Sequence, residues 1–204
     1  MIVVVDYGMG NVGSIVNMLK KVGCQATVSA APETIQKAEK LILPGVGAFD
    51  QGMMNLRERS LIPALNRKVV DDRSPILGIC LGMQLLSSRS EEGQLPGLGW
   101  IAAETRRFQF HTEGMSLKVP HMGWNEVNPR DQSSLFKEFE ETPRFYFVHS
   151  YHVCCEREED ILATSVYGHE FTAAVKKGNI MGTQFHPEKS HRFGMQLLRN
   201  FATL

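Results

Sequence analysis

MIVVVDYGMGNVGSIVNMLKKVGCQATVSAAPETIQKAEKLIL, residues 1–43, sets the architecture. Its first five residues are a continuous apolar run, the mark of a strand buried on both faces. Asn11 can cap a helix whose apolar positions Val12, Ile15, Val16 and Leu19 keep helical spacing. Lys20, Lys21 and then Gly23 end that helix in the way basic last turns and C-terminal glycines do. Residues 25–29 read as a second strand, residues 32–39 as a short helix opened by Pro32, and residues 40–43 as a third strand. Strand–helix–strand–helix–strand implies a parallel sheet with right-handed crossovers.

Helical periodicity continues over residues 52–69. A short buried strand is expected at 74–79 and a helix at 81–88. From Trp100 onward the pattern changes. The stretches 104–110, 117–119, 125–127, 144–148, 162–166, 171–176 and 180–184 predict antiparallel strands and hairpins. Lys177-Gly178-Asn179 is a hairpin turn in this reading. Residues 190–203 close the chain as a helix with Phe193, Leu197, Leu198 and Phe201 on one side. No repeat, low-complexity segment or linker divides the chain. The expectation is a single α/β domain over residues 1–204, with a central mixed, mostly parallel sheet flanked by helices and an antiparallel C-terminal half.

Composition narrows the function classes. Of 204 residues, 43% are apolar and 22% charged, which excludes a disordered chain. Lys plus Arg equal Asp plus Glu, 22 against 22, so no basic surplus favours nucleic acid and no basic amphipathic run favours a membrane surface. The apolar runs fall short of the ~18 residues a membrane span needs. No basic n-region precedes the first strand, so a signal peptide is not expected. Four cysteines, with no CxxC pair, suit neither a disulfide scaffold nor a structural zinc site. A cytoplasmic protein with reduced thiols is expected.

The sharpest chemical signal is Gly78-Ile79-Cys80-Leu81-Gly82, at the end of a buried strand and the start of a helix. A nucleophile on a tight strand-to-helix bend needs glycines two before and two after, so that the backbones can pass closely. The helix N-terminus favours the thiolate, and the Leu81 amide points where an oxyanion would form. The competing reading is a buried cysteine between packing glycines. A second signal is His186-Pro187-Glu188. Pro187 keeps His186 extended, and residues two apart on an extended segment face the same way. One ring nitrogen could then take a thiol proton while Glu188 holds the other. Alone, the triplet could equally be a surface turn. The third is Pro44-Gly45-Val46-Gly47-Ala48-Phe49, whose glycines allow backbone N–H groups to face developing negative charge, or simply make a tight turn. All three leave strand ends of a parallel sheet, where open α/β sheets place their sites. Gly8-Met9-Gly10 only partly echoes a dinucleotide-binding fingerprint.

PGVGAF, GICLGMQ and QFHPEKS resemble the three signatures of the class I, triad-type glutamine amidotransferases, in order and spacing, across essentially the whole chain. Within that class the chain is similar to the subfamily of glutaminase subunits serving imidazole glycerol phosphate synthases, through DYGMGN, GMQ after the cysteine, PHMGWN at residues 120–125 and YFVHSY at residues 146–151. The resemblance implies that Cys80 attacks the glutamine side-chain amide, His186 carries the proton to the leaving ammonia, and Glu188 orients His186. It also implies an oxyanion site from Leu81 and the Gly45–Val46 loop, after that loop reorients. Gly47, Gln84, Glu92, Ser150 and Tyr151 would hold glutamine. It implies no cofactor, and a (βα)8-barrel cyclase subunit as heterodimeric partner, docked near Trp124, Tyr146 and Lys189. From the residues alone, Glu92 reads better as a solvated face, and Trp124 stands evenly between core packing and a partner contact.

Other readings stay in view. The same fold could serve a stand-alone cysteine γ-glutamyl hydrolase, a non-enzymatic binding relative, or another synthase of the class, such as those for anthranilate or aminodeoxychorismate. His149 and His152, with His121, could suggest a metal, but carboxylate ligands at useful spacing are missing, so no metal is expected. His111, His169 and His191 read as surface residues. Cys24 reads as a packing residue, and Cys154 and Cys155 as strand residues without a role.

Overall fold

The computed structural model describes residues 1–110, 117–131 and 134–204. Its first half follows the opening alternation. Strand β1 (Ile2–Val5), helix α1 (Val12–Lys21), β2 (Ala26–Ser29), α2 (Pro32–Gln36) and β3 (Lys40–Leu43) come in turn. Asn11 caps α1 by accepting from the Ser14 N–H at 3.4 Å, and Gly23 beyond its end has φ 81°. Helices α3 (Phe49–Glu58) and α4 (Leu61–Asn66) fill most of the stretch expected to be helical. The break falls at Ser60, whose backbone is left-handed at φ 54°. A π-turn over Arg67–Asp71 leads to β4 (Ile76–Ile79) and α5 (Leu81–Gln84).

Helix α5 is one turn long, where residues 81–88 were expected. The Ser87 hydroxyl donates to the Gln84 carbonyl at 2.7 Å, and the Ser88 N–H already bonds the Ala103 carbonyl at 2.9 Å. The chain is thereby drawn out of the helix into β5 (Arg89–Ser90), which pairs with β6 (Ala103–Arg107). The rest comprises β7 (His121–Glu126), β8 (Asn128–Pro129), β9 (Arg144–His149), β10 (Tyr151–Cys155), β11 (Ile161–Tyr167), β12 (His169–Lys177), β13 (Ile180–Thr183) and α6 (His191–Ala202). Residues 117–119 form no strand, and β10 and β5 are strands the alternation did not mark. His111 lies outside the described residues.

The main sheet runs β2-β1-β3-β4-β13-β12-β10-β6-β5, with β11 and β8 attached through β12, and β7 and β9 form a separate pair. From β2 to β13 the pairing is parallel; β12 then turns antiparallel. The apolar runs have their cause in two cores. Val3, Val5, Leu41, Leu43 and Ile76 face one, with α3 and α4; Ile2, Val4, Ile42, Leu77 and Ile79 face the other, with α1 and α6. Alternation along a strand thus sends every second residue to each core, and none to water. Strand β13 was expected among the antiparallel strands, yet it also lies parallel to β4, Thr183 beside Ile79. Segments 80–82 and 184–188 therefore leave neighbouring strand ends.

Candidate active site

Cys80 sits at φ 55°, ψ −110°, a strained backbone for a residue with a side chain, between β4 and α5. The surrounding glycines make the bend possible. A Cβ on Gly82 would overlap the Leu43 carbonyl, and one on Gly78 would come 2.7 Å from the Gly82 carbonyl oxygen. The Cys80 N–H donates to the Thr183 carbonyl at 2.7 Å, which ties the bend to the end of β13.

His186 follows that strand end in an extended conformation, φ −101°, ψ 96°. Its Nδ1 lies 2.8 Å from Glu188 Oε1, and the two side chains are only 1% and 2% exposed. An ionised Glu188 accepts from Nδ1–H and so fixes the ring. Nε2 is buried without a hydrogen bond of normal geometry, in the cavity that Cys80 also lines. Burial lowers the His186 pKa, but the closeness of Cys80 and the Glu188 carboxylate outweighs it and pushes the pKa up to about 9.

The cavity measures about 360 Å³. Of the residues expected to hold glutamine, Gly47, Gln84, Glu92, Ser150 and Tyr151 all line it, as do Val46 and Leu81. Glu92 is exposed, yet its Oε2 accepts from the Phe49 N–H at 2.8 Å, so it also caps α3, which has no cap from Ala48. Asp50 anchors the same loop by accepting from the Gln94 and Leu95 N–H groups. Gln84 donates from Nε2 to the Tyr151 carbonyl at 3.2 Å and to Gln184 Oε1 at 3.1 Å.

The expected oxyanion donors are not both free. The Leu81 N–H donates to the Gly45 carbonyl at 3.3 Å, so the loop occupies the amide that an oxyanion would need. Gln184 is a residue the sequence reading passed over. Fully buried, it donates from Nε2 to Cys80 Sγ at 3.7 Å. A glutamine directly after an apolar strand was the available signal. Pro120, Val148 and His149 also line the cavity. His149 is not a ligand in waiting: its Nε2 lies 2.9 Å from His121 Nδ1, and burial pulls both pKa values down, to about 3 and about 4. Among the described residues, no group of three or more His, Cys, Asp or Glu side chains could hold a metal ion.

Trp124 is 42% exposed, which removes the core-packing reading. It stacks on exposed His191 at 5.5 Å, lies edge-on to Tyr146 at 6.3 Å, and Lys189 Nζ sits 5.9 Å from the Tyr146 ring centre. The three expected docking residues thus share one surface. His169 is exposed too, as expected. All four cysteines are free thiols, with Cys24 packed against the second core. Among the described residues, no helix is long and apolar enough to cross a membrane.

The family model for class-I glutamine amidotransferases matches residues 3–204. The chain is 57% identical to the imidazole glycerol phosphate synthase subunit HisH 2 of Methanococcus maripaludis over 201 residues, 98% of each chain. It is 53% identical, over the whole of both chains, to the protein of that name from Pseudomonas aeruginosa. The solved structure of PurLQS from Thermotoga maritima, 19% identical, matches with TM-score 0.76 over 99% of this chain and 97% of that one, a likeness of fold. Bend, cavity and matched length agree, and the chain belongs to the class-I glutamine amidotransferases.

Proposed function

We propose that this chain is the glutaminase subunit of an imidazole glycerol phosphate synthase, with residues 1–204 as one amidotransferase domain. The supporting observation is the buried His186, its Nδ1 2.8 Å from Glu188 and its Nε2 unpartnered in the cavity of Cys80. A full-length relative named as such a subunit supports the choice within the family.

The Cys80 sulfur attacks the carboxamide carbon of glutamine, and its proton passes to His186 Nε2. The tetrahedral oxyanion is met by the amides of Leu81 and Val46 once the Gly45 carbonyl has moved away. Collapse expels ammonia, which takes the proton from His186 and leaves a γ-glutamyl thioester on Cys80. Water, deprotonated by the same ring, then releases glutamate. Glu188 orients the ring throughout. Glu92 pairs with the α-ammonium of glutamine, and Gly47, Gln84, Ser150 and Tyr151 shape the rest of the pocket.

Ammonia is largely protonated at neutral pH and would be lost to solvent, so the acceptor must bind next to this chain. The acceptor-binding partner is a (βα)8-barrel cyclase subunit, docked on Trp124, Tyr146 and Lys189 in a cytoplasmic heterodimer. It joins the ammonia to a phosphoribulosyl-formimino aminoimidazole carboxamide ribotide. The products are imidazole glycerol phosphate and aminoimidazole carboxamide ribotide, within histidine biosynthesis. The test is glutamine hydrolysis by wild type and Cys80→Ala, each with and without the cyclase subunit and its ribotide. Turnover that needs Cys80 and rises with the loaded partner is expected. Normal turnover by Cys80→Ala, or no response to the partner, overturns the reading.

A further inference from the structure

Tyr7, just past β1, is completely buried, and its hydroxyl has no hydrogen-bond partner. A buried hydroxyl left unpaired is unfavourable, so its position requires a reason. The backbone around it is fixed: the Tyr7 carbonyl accepts from Asn55 Nδ2 at 2.9 Å, and the Gly8 N–H donates to Asp6 Oδ1 at 3.0 Å. The hydroxyl ends against Gly45: a Cβ there would overlap it, and would also meet the Leu81 side chain and the Gly82 nitrogen. It therefore fills the space beside the one peptide that blocks the Leu81 amide.

That peptide has a hydrogen-bond problem of its own. The Gly45 carbonyl accepts from the Leu81 N–H, and an oxyanion needs the same N–H. When the carbonyl leaves, it remains at a buried residue and must find another donor. This oxygen turns with the 45–46 peptide about the Cα–C bond of Gly45, beside the space a side chain would take. The Tyr7 hydroxyl stands there, a donor with nothing to donate to.

Resting on the glutaminase reading above, we propose that Tyr7 is a positioning residue for the oxyanion site. Its O–H takes up the Gly45 carbonyl when the 45–46 peptide rotates off Leu81, so the open arrangement keeps every buried group paired. Tyr7 touches no reacting atom. It sets how much of the enzyme is ready to stabilise the oxyanion.

The test is Tyr7→Phe in the assembled complex with the cyclase subunit and its ribotide. Five readouts are taken: kcat and KM for glutamine, affinity for the γ-aldehyde analogue of glutamine, alkylation of Cys80 by iodoacetamide, and the melting temperature. The aldehyde forms a thiohemiacetal whose oxygen needs the oxyanion site; alkylation does not. Loss of one hydrogen bond in the open arrangement predicts a drop of roughly 10-fold in both kcat and aldehyde affinity. KM and the alkylation rate stay within about twofold, and the melting temperature does not fall, since the removed hydroxyl bonds nothing in the closed form. Unchanged kcat and aldehyde affinity overturns the inference alone. So does a fall in alkylation that matches the fall in kcat, which marks general damage to the site. Normal turnover by Cys80→Ala overturns the glutaminase reading and this inference with it.

Discussion

The backbones of Tyr146 and His186 form an isolated antiparallel bridge, in which the His186 N–H donates to the Tyr146 carbonyl at 2.9 Å. The Ser190 hydroxyl closes the ring of contacts, donating to the His186 carbonyl at 2.6 Å and accepting from the Tyr146 N–H at 3.0 Å. The ring that would move protons is thus held by the backbone of a residue whose side chain lies in the expected docking surface. A displacement of β9 by a docked partner would reach His186 in one step.

Ser190→Ala checks that coupling. It leaves the half-buried Tyr146 N–H unpaired, at about 1–3 kcal/mol for such a loss, and leaves the His186 carbonyl with only the Lys189 N–H, at 3.1 Å. The unfolding midpoint in urea should fall accordingly. Turnover in the complex should fall by ~10-fold, with partner affinity little changed, because Ser190 is wholly buried. A variant as stable and active as wild type would show that the bridge alone fixes the ring.

Much of the fold was legible because burial on both faces writes unbroken apolar runs, and these mark β1, β3 and β4 without ambiguity. The Cys80 bend was legible for a steric reason: Gly78 and Gly82 stand where side chains cannot fit. What escaped depended on tertiary partners. Strand β10 carries Tyr151, His152, Cys154 and Cys155, a mixed run whose order comes from pairing with β6. Helix α5 ended early because the Ser87 hydroxyl took its last carbonyl and Ser88 found a partner outside it. Glu92 reads as a solvated carboxylate until α3 is seen to lack a cap of its own. Nothing local revealed that the Gly45 carbonyl occupies the Leu81 amide, since that bond joins segments far apart in sequence.

His186 gives a pH prediction. Its pKa, about 9 in the fold, lies above the ordinary 6.5. The folded state therefore binds its proton more tightly than the unfolded chain does. This contribution to stability is fully present below about pH 6.5 and is lost as the pH rises through about 9. NMR titration of the ring should find a midpoint well above 6.5. Both Cys80→Ala and Glu188→Gln should lower it, because each removes one of the groups that hold the charge. Glu188→Gln should also reduce turnover by at least ~100-fold, the usual range for a misoriented general base.

Gly82→Ala tests the bend itself. The new Cβ would overlap the Leu43 carbonyl, a backbone atom of a central strand that cannot yield cheaply. Destabilisation of about 3 kcal/mol or more is expected, near the upper end for single substitutions. Alkylation of Cys80 should slow as the sulfur leaves its place. A thermal midpoint equal to wild type would mean that β3 and the bend are less closely apposed than found here.

Gln184 carries the last prediction. Its amide joins the cavity wall to Cys80, accepting from Gln84 through Oε1 and donating to Cys80 Sγ through Nε2. The donor holds the sulfur in place, and the fully buried position keeps water from replacing it. Gln184→Leu keeps the volume and removes both bonds. Gln84 would retain only the Tyr151 carbonyl as partner for its Nε2. Cys80 alkylation should slow, and turnover should fall by ~10-fold, the worth of one hydrogen bond to a charged atom. Gln184→Glu should be worse, because a carboxylate beside the sulfur repels the thiolate. If Gln184→Leu and wild type alkylate at the same rate, the 3.7 Å contact has no consequence at the sulfur, and Gln184 acts only by holding Gln84 in the wall.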